Sequence, residues 1–549
     1  MSFVRGLGKY ARLWIVPLGL VLVAFGAQKL ARSCFDSLVH FRAPQFTVKP
    51  GGTAEPVSRV VLVVIDALRI DAFNNMRYLS SLKESGATFI LKTGQLSITV
   101  PAAAVIATGA WPDVTGATTN WFEGSVRHDN LFSLAKDSGL TTVLAGGTGL
   151  FAGAATKTFV RKWKDAYITF DEETLTKTLE FLSEEPEFSY VHFTDTDEAG
   201  HEFGGASPEY QKYADHIDGL IERLHKSLRE DTVLMVTSDH GQIDRGGHGG
   251  WEAVVTHVPL LLCGSMVKPG SYGMAEQTDI APTVAALLGL PVPPYSQGRI
   301  LADALNLGEQ EGRLLELQVE HKEVFTRAYL EAIGADFERV RGETAPAPQE
   351  DAGAYWDRVL ARGKAEKTAG ARVRRIPLFL IVLVVPFLAF WYFKKRFRLS
   401  VGLPLGLSLL YFAVFYGIFF ASGKTISFSS INYQDWLRKF LNETMLYAAL
   451  SAIIVAIGLA FLARRRTRYE TAQASVILAA FIAFLIIVQV DIFLLYNGPL
   501  LTRYIPNMFL AFKYYLDLAS LVAIGVVSVI LPLISMGTHR VIAGSSTRR

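Results

Sequence analysis

The chain has 549 residues, 19% of them charged, with 54 Lys and Arg against 51 Asp and Glu. The net charge of +3 argues neither for nor against nucleic acid, but the basic residues gather at the ends of apolar runs and no aromatic-interleaved basic stretch or reading-helix motif occurs, which argues against a nucleic-acid-binding protein. Two cysteines, Cys34 and Cys263, exclude a disulfide framework and are expected to be structural.

Mean hydropathy is +0.28, and the apolar residues concentrate at 13–30, 376–393, 401–421, 445–463, 474–496 and 517–537. Each run approaches or exceeds the ~18–20 residues that cross a hydrocarbon core. Arg5, Lys9 and Arg12 precede the first run, which is long and lacks a small-residue cleavage site. Residues 1–30 therefore read as a cytoplasmic N-terminus and an uncleaved anchor, leaving the following domain extracytoplasmic. Counting the spans forward puts the basic clusters at 394–398 and 464–468 and the tail 538–549 on the cytoplasmic side, as the positive-inside rule requires. The basic stretch Lys364–Arg375 runs against that count.

The stretch between 31 and 375 has ordinary globular composition, and 56–300 within it read as an extracytoplasmic catalytic domain. The run VVLVVI, ending in Asp66, has the continuous apolar character of a strand buried on both faces. Similar runs end at Gly146 (TTVLAG), Asp195 (YVHFTD), Asp239 (TVLMVTSD) and Gly264 (VPLLLCG). Between them, Tyr210, Tyr213, Ile217, Leu220, Ile221, Leu224 and Leu228 form one apolar helical face over 208–229. This alternation predicts an α/β domain, a mostly parallel sheet flanked by helices, with its site beyond the carboxyl ends of the strands. Residues 301–375 are charged and helical and read as a linker; 376–537 read as an α-helical bundle of about five transmembrane helices.

The polar residues at the strand ends carry the chemistry. Asp66 follows the first strand, Asp197 and His201 occur in DEAGH, Asp239 and His240 in SDHG, and His248 in GGHGG. Carboxylates and neutral imidazoles suit zinc, and also manganese, and six of them at one sheet edge suffice for two ions. One such residue alone is explained equally well by an exposed turn. In SITVPAAAVIATG, Thr99 stands two residues before Pro101 and the start of a helix, where free N–H groups and the helix dipole favour an anion. Thr99 then reads as a nucleophile; the plain alternative is a helix cap.

These segments resemble the alkaline phosphatase superfamily over about 58–300. TVPA at 99–102 and GATTN at 116–120 are similar to the nucleophile turn and phosphoryl-binding asparagine segment of nucleotide pyrophosphatase/phosphodiesterases, with Ala102 where that branch has asparagine. VVIDALRID at 63–71, DEAGH at 197–201, DHGQIDRGGHGG at 239–250 and QTDIAPTVAALLGLPVP at 277–293 resemble GPI ethanolamine phosphate transferases. The anchor, ectodomain and multi-span layout is also theirs, in a shorter membrane part. The resemblance implies one ion held by Asp66, Thr99, Asp239 and His240, another by Asp197, His201 and His248, and Asn120 as a phosphoryl contact. It implies transfer of phosphoethanolamine from phosphatidylethanolamine to a GPI-type glycolipid through a phosphothreonine intermediate. In a eukaryote the domain would face the endoplasmic reticulum lumen, and in a prokaryote the periplasm or exterior. With water as acceptor, the same residues would make a membrane-tethered phosphodiesterase or nucleotide pyrophosphatase. A sulfatase is excluded, because neither C-x-P-x-R nor S-x-P-x-R stands at the nucleophile turn. A metal-free membrane scaffold would have lost ligands, and none is missing. Arg69, Asp71, His192, His216 and His257 read as structural.

Overall fold

The computed structural model describes residues 12–122, 126, 129–147, 149–160, 170–397, 401–431, 436–499 and 505–546. Two compact units divide the chain, one comprising Leu38–Gly370 with Thr502–Met508, the other the remaining N-terminal and C-terminal segments.

Among the described residues of the first unit, eight strands form one sheet: β1 (Arg59–Ile65), β2 (Ala87–Lys92), β3 (Thr142–Gly146), β4 (Lys157–Val160), β5 (Phe188–Phe193), β6 (Thr232–Ser238), β7 (His257–Cys263) and β8 (Gly270–Glu276). Their order is β4-β3-β5-β1-β6-β7-β2-β8. Every neighbouring pair is parallel except those of β7, which runs antiparallel to β6 and β2. The apolar run of β1 is continuous because it is central and covered on both sides. Val60, Leu62 and Val64 join a core with Ala104, Ile106, Val284 and Leu287. Val61, Val63 and Ile65 point the other way, into a core with Tyr210, Ile217 and Ile221.

The expected helix at 208–229 runs from Pro208 to Lys226, capped by the Ser207 side chain and started by proline. It buries Tyr210, Ile217, Leu220, Ile221 and Leu224, as the apolar periodicity predicts. Residues 301–375, expected as a linker, depart from that reading. The helices Gln310–Ala332 and Phe337–Glu343 and the first turns of Ala352–Phe397 supply Phe325, Tyr329, Leu330, Phe337, Val340, Trp356 and Val359. These bury against Val48, Ala110, Val114 and Tyr295, and a surface of that size is not left in water.

Among the described residues, five helices are long and apolar enough to cross a membrane: Ile15–Val39, Gly402–Ala421, Leu437–Leu462, Arg468–Asn497 and Met508–Ser528. By length and composition the chain is a multi-pass membrane protein. The run at 376–393 continues the helix Ala352–Phe397, with several of its side chains outside the described residues. Arg5 and Lys9, Arg398 and residues 547–549 also lie outside them. The expected span 517–537 is interrupted: one helix ends at Ser528 and the next begins at Leu531. Pro532 explains the break, because it has no N–H to donate to the carbonyl four residues earlier.

Candidate metal centre

Strand register sets the first two carboxylates. Ile65 of β1 is level with Ser238 of β6 in a parallel pair, so the next residues, Asp66 and Asp239, emerge side by side. The His240 Nε2 lies 3.4 Å from Asp66 Oδ1 and 3.5 Å from Asp239 Oδ2. The ligand atoms of these three residues fall within 4.8 Å of one another, and all three are buried. Thr99 Oγ1 lies 3.4 Å from the same His240 nitrogen. Thr99 is the first residue of the helix Thr99–Thr108, whose cap is Ile98 without a side-chain hydrogen bond. Its hydroxyl is therefore not used for capping.

A second group gathers on the helix Asp195–Phe203, where Asp197 and His201 are four residues apart and share a face. His201 Nε2 lies 3.3 Å from Asp197 Oδ2, His248 Nε2 lies 3.5 Å from Asp197 Oδ1, and the two imidazole nitrogens are 3.2 Å apart. The rings of His240 and His248 stack with centroids 3.9 Å apart, so the two groups adjoin. Backbone carbonyls set the tautomers. His240 Nδ1 is 3.2 Å from Gly241 O and His248 Nδ1 is 3.2 Å from Ser97 O, leaving both Nε2 atoms turned to the group. Asn120 Oδ1 accepts the Val100 N–H at 2.9 Å, which brings its amide to the turn that carries Thr99.

Both oxygens of Asp66 and Oδ2 of Asp239 are buried without a hydrogen-bond partner. Burial, then the neighbouring carboxylates Asp239 and Asp197, pushes the Asp66 carboxyl well above its ordinary range. Burial also raises Asp239. At Asp197 burial pushes upward, but His201, His248 and His240 outweigh it and hold the carboxyl low. Burial holds His240 at about 4 and His248 at about 3, so both imidazoles are neutral at physiological pH. Buried bare carboxylates beside neutral imidazoles are costly without a cation, and this donor set suits zinc or manganese.

The structure adds residues that no motif spacing announces. Gln242 Nε2 donates to Asp197 Oδ1 at 2.7 Å and to its backbone carbonyl at 2.9 Å. A Cβ on Gly200 would collide with that amide, which accounts for the glycine in DEAGH. Ala67 holds a left-handed φ of 60° between Asp66 and the following helix. The Tyr210 hydroxyl fixes it, donating to Ala67 O at 2.7 Å and accepting from Arg69 N–H at 3.0 Å. His192, read as structural, is buried with Nε2 3.4 Å from Asp66 Oδ2, and neither ring nitrogen has a hydrogen-bond partner. Arg69 pairs with Asp71 and with Asp244. Gln242→Ala is expected to weaken retention of a divalent ion at the Asp197, His201 and His248 group by about 10–100-fold. Metal content during dialysis against graded chelator measures this; unchanged retention would contradict the role of Gln242.

Residues 60–246 match the model of the type I phosphodiesterase/nucleotide pyrophosphatase family, so this part of the chain is a domain of that class. The chain is also homologous to GPI ethanolamine phosphate transferases. It is 29% identical over 299 residues to the human catalytic subunit of GPI ethanolamine phosphate transferase 3, covering 48% of this chain and 27% of that protein. With the human catalytic subunit of transferase 2 it shares 25% over 331 residues, 54% of this chain and 31% of that protein. The chain thus spans well under half the length of these relatives. Among solved structures, murine ectonucleotide pyrophosphatase/phosphodiesterase 5 aligns with a TM-score of 0.38 at 14% identity, covering 45% of this chain and 100% of that one.

Proposed function

We propose that the chain is a membrane-bound phosphoryl-transfer enzyme that moves phosphoethanolamine from phosphatidylethanolamine to a hydroxyl of a GPI-type glycolipid. The observation that carries the chemistry is the buried Thr99 hydroxyl beside His240 of the Asp66, Asp239 and His240 group, in which both Asp66 oxygens and Asp239 Oδ2 have no hydrogen-bond partner. The names of the homologous proteins support the substrate class.

Asp66, Thr99, Asp239 and His240 would hold one divalent ion, and Asp197, His201 and His248 the other, with zinc or manganese fitting the donors. The ions supply positive charge that lowers the pKa of a hydroxyl and offsets charge on phosphoryl oxygens. Thr99 Oγ1 attacks phosphorus; its bond to phosphorus forms as the bond to the diacylglycerol oxygen breaks, and that oxygen takes up a proton. The Asn120 amide, held at the Thr99 turn, steadies a phosphoryl oxygen. An acceptor hydroxyl then displaces Thr99 from phosphorus. Under the positive-inside count, the catalytic unit faces the endoplasmic reticulum lumen in a eukaryote, or the periplasm or exterior in a prokaryote.

A second reading, a phosphodiesterase with water as acceptor, is favoured by the family match over 60–246 and by Asn120. Phosphatidylethanolamine labelled in the ethanolamine separates the two. Label should pass to a mannose-bearing glycolipid when one is supplied; release only as free phosphoethanolamine would reject transfer and leave the hydrolase.

A further inference from the structure

The catalytic unit covers nearly all of its aromatic surface. Among the described residues of 38–370, the aromatic side chains that are strongly exposed are Trp121 at 42%, Phe203 at 43% and Trp251 at 54%. They come from three separate segments, yet each lies within three residues in sequence of a residue of the candidate site. Trp121 follows Asn120, whose side chain bonds the Thr99 turn. Phe203 closes the helix that carries Asp197 and His201. Trp251 stands three residues after His248, whose ring stacks on His240. Val254, 41% exposed, lies on the turn after Trp251. Exposed aromatics scattered by chance would not all fall so near site residues along the chain, and exposed apolar patches mark binding surfaces.

From this placement we infer that Trp121, Phe203 and Trp251 form an apolar collar around the metal centre that holds the acyl-chain side of a lipid phosphodiester while its phosphate reaches Thr99. The inference rests on the phosphoryl-transfer reading above and says which residues make the donor a lipid. Two features select a lipid over a soluble apolar partner. Among its described residues the same chain carries five helices long and apolar enough to cross a membrane, so a lipid substrate is at hand. Two of the three collar residues are tryptophan, whose apolar ring and N–H suit the boundary between acyl chains and headgroups. A donor held in this way loses contact with water along its glycerol backbone, and its headgroup is presented to the buried polar groups.

Two donors with one headgroup test this: dioleoyl phosphatidylethanolamine in mixed micelles, and glycerophosphoethanolamine, which has no acyl chains. The full-length protein is compared with Trp121→Ser, Phe203→Ser, Trp251→Ser and the triple variant. Each single change is expected to lower kcat/KM for the lipid donor about tenfold, mainly through KM, since it removes most of one aromatic contact. Turnover of glycerophosphoethanolamine should stay within twofold, which also shows that the variants are folded. Equal losses on both donors, or no loss on the lipid in the triple variant, would overturn the collar while leaving phosphoryl transfer standing. Wild-type protein that turns over neither donor rejects the phosphoethanolamine reading, and the collar with it.

Discussion

Thr99→Ala is expected to lower kcat by at least about a thousandfold, the scale of loss when a nucleophile is removed from covalent catalysis. Folding should hold. Thr99 is 2% exposed and opens a helix whose remaining buried residues are untouched, so only an oxygen and a methyl group are deleted. Neither is used to cap the helix, and alanine is a good residue in a first turn. Thermal stability should therefore move by a few degrees at most. Thr99→Ser supplies the control, because it restores the hydroxyl and should recover measurable turnover. Turnover of labelled phosphatidylethanolamine near the wild-type rate in Thr99→Ala would remove Thr99 from the chemistry.

Stripping the ions should make stability depend on pH in a definite direction. Burial, then like charge, raises Asp66, and burial raises Asp239, above the ordinary carboxylate value of 3.8. A carboxyl whose pKa is raised in the folded state favours folding below its unfolded value, and that contribution is lost as pH rises through the folded value. Metal-free protein should thus melt at progressively lower temperature as pH rises from about 4 toward neutrality. Bound cations offset the two negative charges, so the loaded protein should show little of that slope, and the gap between the two forms should widen with pH. Asp239→Asn should flatten the slope of the metal-free form while abolishing activity. Melting curves with and without chelator from pH 4 to 8 measure this; a gap that narrows toward pH 8 would show that the carboxylates are stabilised by something other than cations.

Sequence and structure agree most closely where a single physical requirement leaves a simple pattern. Strands β1, β3, β5, β6 and β7 are fully or almost fully buried, and their apolar runs are continuous. The edge strand β8, GSYGMAE, has one buried residue, and β4 alternates in a partly exposed setting, so neither stands out from a loop. The direction of β7 is equally silent, since an apolar run reads the same either way. The aspartates and histidines that gather into the two candidate metal groups were legible because they recur at strand ends among glycines. Gln242 and Tyr210 were not, because they act through hydrogen bonds to parts of the chain 45 and 143 residues away. His192 read as structural from the sequence, whereas the β1–β5 register sets it level with Val64, two residues before Asp66.

The segment after residue 300 bears on how this protein can be divided. Tyr329 donates its hydroxyl hydrogen to Asp113 at 2.9 Å and Lys364 meets the same carboxylate at 2.8 Å, just beyond the far end of the Thr99–Thr108 helix. Ala110 and Val114 share a core with Phe325 and Trp356. A fragment cut at residue 246, where the family match ends, would lose His248, and one cut after the last motif at 293 would keep every candidate metal ligand yet lose the buttress behind the helix that carries Thr99. A water-soluble form that preserves the geometry has to carry the chain through to about Gly370. The modular unit here is therefore larger than the chemical one, and domain borders drawn around motifs alone would divide it in the wrong place.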